Sequence, residues 1–228
     1  MHFAHRLRRP RDPSAFRPPL LVLLHGKGAN EEDLFGLASH FDPRLLIVSL
    51  RAPHEMAPGY YRWYERRDTA DGSVFDEAEV EASRTWLVQA LKDCVMATGA
   101  DPRQVHVLGF SQGAAMALAL ALTAPGRLRS VISIAGRLLP ACAPYAMPAE
   151  ALRHLTLLIQ HGTHDDVVPV GESVAACRLF AELGVPQGIR EYDAGHTITP
   201  SMLRDAREFL RVQIDRAETP PPPAEGAR

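Results

Sequence analysis

Residues 109 to 116 read GFSQGAAM, a serine with a glycine two places to either side. An unperturbed hydroxyl is a weak nucleophile, so chemistry at Ser111 requires a base within hydrogen-bond reach and a third group to orient that base. The surroundings of the serine suit such a role. Val105, His106, Val107 and Leu108 form a short strand-like run before it, and the alanine and leucine series from Ala114 to Leu122 favours a helix after it. A strand, a sharp turn and a helix in direct succession hold the serine in a strained conformation and bring neighbouring backbone close. Small residues are therefore needed at Gly109 and Gly113.

Where a serine sits on such an elbow, its partners come later in the chain, acid first and histidine last. HGTHDDVVP follows an apolar run at Leu155 to Gln160, and DAGHTI follows another at Gly188 to Tyr192. Both lie beyond the C-terminal ends of expected strands, the edge at which α/β sheets gather their sites. His196 is the candidate general base. Asp165 or Asp166 is the acid that holds its imidazole, and spacing leaves the choice between neighbours open. A developing oxyanion needs backbone donors: the N–H of Gln112 opens the helix after Ser111, and the glycine-rich HGKG at residues 25 to 28 follows the first strongly apolar strand. A metal centre built from His161, His164 and Asp165 or Asp166 is the rival chemistry. It lacks a further oriented ligand and leaves the elbow unexplained, so no metal is expected.

The elements that must position these groups alternate. Leu20 to Leu24, Leu45 to Leu50, the 105 to 108 run, Val131 to Ala135, Leu155 to Gln160 and Gly188 to Tyr192 have the length and apolar continuity of buried parallel strands. Asn30 with three acids after it resembles a helix start. Glu77 to Thr98 carries Val80, Leu87, Leu91 and Val95 at helical spacing and stops at Gly99, and further helices are expected at Glu172 to Leu183 and Thr199 to Ile214. The fold class is α/β, a mostly parallel sheet with helices on both faces. The stretch from Arg51 to Phe75, rich in Pro, Tyr, Trp and Arg, breaks the alternation: it is either a functional loop or an extra hairpin on the sheet edge. Residues 18–216 are expected to form one catalytic domain, 1–17 an arm or edge strand, and 217–228, with PPPP, a disordered tail.

Composition narrows the function. At 228 residues, 46% hydrophobic, 23% charged and a net charge of -2, the chain suits one soluble domain and offers no basic face for nucleic acid. The three cysteines Cys94, Cys142 and Cys177 show no CxxC pairing and read as reduced core residues. With no secretory leader in MHFAHRLRRPRDP, they favour the cytoplasm. Leu20 to Leu24 is too short to span a bilayer.

The blocks LHGKGANEEDLFGLA, LGFSQGAAMALALAL, QHGTHDDVVPV and DAGHTI, taken together and in order, resemble those of the phospholipase/carboxylesterase family of α/β-hydrolases, from about Pro18 to Ile214. The resemblance implies an α/β-hydrolase fold with little or no lid, and a cofactor-free Ser-Asp-His hydrolase of carboxylic esters or thioesters of small-molecule acyl substrates. It assigns the acid to Asp165 through D-x-x-V-P and the first oxyanion donor to the backbone of Lys27, with Gln112 as the second. It also implies substrate contacts from Trp63, Tyr64 and Val168. Long-chain lysophospholipids or acylated proteins are the alternative substrates, and pairing of two copies through an exposed apolar face is left open. One departure stands out: Arg51, Arg62, Arg66 and Arg67 make the 51 to 75 loop cationic, which favours short or acidic acyl esters over a lipid groove. A non-catalytic binding module on this fold is the remaining alternative. A dienelactone-type enzyme would call for cysteine at Ser111, and a peptidase for an added domain.

Overall fold

The computed structural model describes residues 1–12, 17–69 and 72–218. Seven strands form one sheet in the order β1-β3-β2-β8-β9-β10-β11. They are β1 (His5–Arg8), β2 (Leu20–Leu24), β3 (Leu46–Leu50), β8 (Val105–Phe110), β9 (Ser130–Ile134), β10 (Thr156–Gly162) and β11 (Gln187–Tyr192). All neighbours are parallel except β1, which runs antiparallel to β3 at the edge. Two small hairpins stand outside this sheet: β4 (His54–Ala57) with β5 (Tyr60–Arg62), and β6 (Arg66–Thr69) with β7 (Gly72–Phe75). The helices are α1 (Glu77–Thr98), α2 (Gln112–Thr123), the single turn α3 (Ala149–Leu152), α4 (Val170–Glu182) and α5 (Pro200–Glu218).

A strand apolar on both faces must be covered on both. All five residues of β2 are fully buried. Leu20, Val22 and Leu24 pack with Val80, Leu87 and Leu91 of α1 and the residues of α2 and α4. Leu21 and Leu23 face the other way, toward Leu34, Ala38 and Phe41 and toward Met202, Ala206, Leu210 and Ile214 of α5. Each such fully buried side chain stabilises the fold by about 1.5–3 kcal/mol relative to exposure. Helix α2, at the centre, is buried along its whole length. The ends of α1 obey local rules: the Asp76 carboxylate accepts from the Glu79 N–H at 3.0 Å, and Gly99 closes the helix in the left-handed region at φ 74°.

Two expectations change, and one left open takes a form among its alternatives. No α-helix begins at Asn30; a 3₁₀ helix covers Leu34–His40, and the Asn30 side chain instead accepts from the Glu32 N–H at 2.9 Å and donates to the Gly59 carbonyl at 3.0 Å. A side chain bonded to local backbone competes with helix, which explains the turn. The 51 to 75 stretch, open between a functional loop and an extra hairpin, forms two hairpins outside the main sheet, and Tyr64 between them and Arg66 of the second border the depression at Ser111. The last helix runs on to Glu218, so residues 217 and 218 belong to it; the rest of the expected disordered tail, 219–228, lies outside the described residues. Among the described residues no helix is long and apolar enough to cross a membrane. Cys94 and Cys142 are buried and Cys177 half-buried, all as free thiols. Burial pushes Cys94 up to about 12 and Cys142 up to about 11, so neither supplies a thiolate near neutrality.

Two glycines fix how β8, α2 and β2 meet. A Cβ at Gly109 would fall on the Gly113 carbonyl, and one at Gly113 on the Leu24 carbonyl of β2. Gly113→Ala is therefore expected to lower stability by about 2 kcal/mol or more. Gly171→Ala, in α4 with open space around the new methyl group, should be neutral or stabilising. Urea midpoints of the two variants check this; equal midpoints would contradict the close packing at Gly113.

Candidate active site

Ser111 lies between β8 and α2 at φ 53° and ψ -116°, a conformation rare outside glycine. Its N–H donates to the Ile134 carbonyl at 3.0 Å, tying the turn to the end of β9. The strain aims Oγ out of the sheet top, where the loops after β10 and β11 arrive. His196 Nε2 stands 2.9 Å from Ser111 Oγ, and His196 Nδ1 stands 2.7 Å from Asp165 Oδ2. The Phe110 ring lies 5.0 Å from the imidazole, centroid to centroid.

The choice between adjacent acids is made by geometry. Asp166 is exposed, whereas the Asp165 carboxylate is fully buried and has a partner on each oxygen. Oδ1 accepts from the N–H of Val167 at 2.9 Å and of Val168 at 2.8 Å. Oδ2 faces His196, with His161 Nε2 at 3.2 Å. Burial pushes this carboxyl up, but the Val168 N–H, the His196 imidazole and the Val167 N–H together outweigh it and hold it below its ordinary value. A charged, aligned acid beside Nδ1 keeps the proton there and leaves Nε2 free to accept from a serine.

The HGKG loop is held from three sides. The Gly28 N–H donates to the Tyr61 carbonyl at 2.8 Å, and the Tyr61 N–H to the Ala29 carbonyl at 3.0 Å. The Ala52 N–H donates to His25 Nε2 at 3.0 Å, so the ring proton is on Nδ1, which donates to the Gly26 carbonyl at 2.7 Å. Burial lowers the pKa of this imidazole and keeps it neutral. Among the described residues neither the Lys27 nor the Gln112 N–H donates to a protein acceptor. The Lys27 ammonium points to Glu65, 3.4 Å away.

Tyr64 and Val168 line a depression at Ser111 together with Arg66, Gln112, Ala135 and Arg137. It holds about 230 Å³, counting its open mouth. Trp63, expected to touch substrate, does not line it. The indole is fully buried, its Nε1 donates to the His25 carbonyl at 2.8 Å, and its ring packs 5.5 Å from that of His25. An indole N–H inside a core needs such a partner, so Trp63 supports the loop from below.

Several residues were not legible as part of the site. The Gln112 side chain accepts from the Trp63 N–H at 3.1 Å and donates to the Tyr64 carbonyl at 2.8 Å, clamping the 51 to 75 stretch onto the elbow. His161 is engaged on both ring nitrogens, Nδ1 with Ser173 Oγ at 2.6 Å and Nε2 with the Val168 carbonyl at 2.7 Å, while His164 is exposed beside Asp193. Among the described residues no group of three or more His, Cys, Asp or Glu side chains could hold a metal ion. Arg137 sits just past β9, at the sheet edge where sites gather; that position was its only signal in the sequence.

The architecture is that of an α/β-hydrolase. The chain belongs to the phospholipase/carboxylesterase family, whose model matches residues 10–214. Esterase YpfH of Escherichia coli K12 is 28% identical over 204 residues, covering 86% of this chain and 84% of that protein. A probable carboxylesterase of Oryza sativa subsp. japonica is 31% identical over 219 residues, covering 90% and 92%. The crystal structure of the Bacillus cereus carboxylesterase shares the fold, with a TM-score of 0.80 at 24% identity over 93% of this chain and 95% of that one. The protein is a carboxylesterase-like hydrolase.

The Asp165 carboxyl, lowered in the folded state, stabilises the protein fully above its unfolded value of about 4, and that contribution is lost as pH falls through the lowered value. The unfolding free energy of Asp165→Asn should accordingly change less than that of the wild type between about pH 5 and pH 2. Parallel acid limbs in urea titrations would contradict the assignment of these hydrogen bonds.

Proposed function

We propose that the protein is a serine esterase in which Ser111 is the nucleophile, His196 the general base and acid, and Asp165 the group that orients His196. The observation that carries this reading is the unbroken chain from Ser111 Oγ to His196 Nε2 at 2.9 Å and from Nδ1 to Asp165 Oδ2 at 2.7 Å. Nε2 takes the serine proton as Oγ attacks the acyl carbon. The resulting imidazolium is stabilised by Asp165 and gives the proton to the departing alcohol or thiol. Water then repeats the sequence on the acyl-enzyme, releasing the acid and returning the proton to Ser111.

The carbonyl oxygen becomes negative in both steps, and the N–H groups of Lys27 and Gln112 are its proposed donors. Gln112 adds the favourable end of the α2 dipole. Tyr64 and Val168 are the proposed substrate contacts. The polar lining at Ser111, with Arg66 and Arg137 in it, supports short or acidic acyl groups over long apolar chains. Three free thiols support a reducing, cytoplasmic setting.

Hydrolysis of p-nitrophenyl esters from acetate to palmitate tests the reading. Wild-type turnover should peak at short chains, and Ser111→Ala should lose it by at least about a thousandfold. Wild-type rates in Ser111→Ala would rule the mechanism out.

A further inference from the structure

The four arginines of the 51 to 67 segment do not share one role. Arg51 is held by both oxygens of Glu31 at 2.6 Å, and Arg62 meets Glu79 at 2.9 and 3.2 Å, so these charges are neutralised within the protein. Arg66 faces the depression at Ser111, and its guanidinium reaches the Val167 carbonyl at 3.4 Å. A fifth arginine lies opposite. Arg137 follows Ala135, itself held at φ 54°, in the turn that ends β9, and it lines the same depression. Both arginines also wall a larger, open cavity next to it.

Arg137 is 7% exposed. A guanidinium that deep is costly unless it is paired and hydrogen-bonded. Its carboxylate partner is Glu172, and the two approach only to 3.6 Å, beyond a hydrogen bond, with Glu172 itself 38% exposed. The guanidinium carbon lies 5.6 Å from the centre of the Phe75 ring. Its planar fork of N–H donors is therefore positioned by packing and not committed to that carboxylate, in a place that opens toward the reacting serine. The charge is felt at the site: burial raises the pKa of the Tyr64 phenol, while Arg137 and then Arg66 pull it down. Asp166 and Glu172 line the outer cavity, so an anion far from Ser111 meets like charge.

We infer that Arg137, with Arg66 at the rim, forms a carboxylate subsite of the Ser111 pocket, and that the favoured substrates are small esters bearing a carboxylate a few atoms from the scissile carbonyl. The inference rests on the reading of Ser111 as nucleophile. The carboxylate belongs either to the acyl group, as in a half-ester of a dicarboxylic acid, or to the alcohol, as in an acylated hydroxy acid. It stays ionised throughout and takes no part in bond making.

Two substrate pairs separate these sources. The acyl arm compares ethyl hydrogen glutarate with ethyl valerate, and the alcohol arm compares O-acetylglycolate with ethyl acetate. In one arm kcat/KM for the anion should exceed that for its neutral partner by about tenfold or more, mainly through KM. Arg137→Gln should bring the ratio to within about twofold, Arg137→Lys should retain part of it, and Arg66→Gln should lower it less than Arg137→Gln does. Neutral esters turned over as well as anionic ones in both arms would overturn the subsite, and so would a preference unchanged in Arg137→Gln. Should Arg137→Gln fail to fold, the wild-type ratios and Arg66→Gln still decide. Loss of neutral-ester turnover in Ser111→Ala establishes the esterase reading separately, so that failure of the subsite and failure of the mechanism are told apart.

Discussion

The site depends on one steric constraint: three backbones meet at Gly109, Gly113 and Leu24 with no room for a Cβ at either glycine. That contact draws α2 against β2 and holds the residue between β8 and α2 in a strained, positive-φ conformation. Ser111 cannot relax without separating elements buried on every side. The strain of such a residue, of order 1–3 kcal/mol, is held by the surrounding core. Because the same contact sets β2 beside the elbow, the HGKG loop at the end of β2 arrives next to Ser111, and proposed nucleophile and oxyanion donors are positioned by one packing event.

Around this point the polar groups form a connected set. Gln112 joins the elbow to Trp63 and Tyr64, Trp63 joins them to the His25 carbonyl, and His25 accepts from Ala52 past the end of β3. On the other side Asp165 gathers Val167, Val168 and His196, while His161 ties Val168 to Ser173 of α4. Loops held by buried hydrogen bonds on rigid strands keep short distances without a bound substrate, the condition for electrostatic preorganisation. The proposed first oxyanion donor and the wall of the depression at Ser111 are thus coupled through Trp63, which does not line that depression.

Much of this was legible in the sequence because it is local. Strand, elbow and helix are read from 105 to 122, and the order of acid and histidine follows from it. The continuous apolar runs of β2, β3 and β9 mark a sheet covered on both faces. What was not legible depends on contacts between distant segments. Spacing alone does not divide Asp165 from Asp166; the family resemblance points to Asp165, and the turn that buries one and exposes the other separates them physically. Trp63 and Gln112 are 49 positions apart, and nothing in either segment says that they hydrogen-bond. The arginines of the 51 to 75 stretch looked alike until Glu31, in the turn after the HGKG loop, and Glu79 of α1 were brought beside Arg51 and Arg62. The Asn30 helix failed because its signal, a cap with acids behind it, serves a hydrogen-bonded turn equally well.

The central claim is that strain and the His196 to Asp165 pair activate Ser111 as a nucleophile. The most direct measurement is labelling with an alkyl fluorophosphonate followed by mass mapping of peptides, in the wild type and in His196→Gln. The account predicts one adduct per chain, on Ser111, with a labelling rate at least about a hundredfold lower in His196→Gln. An adduct on another residue, no adduct, or a rate that does not depend on His196 would contradict it.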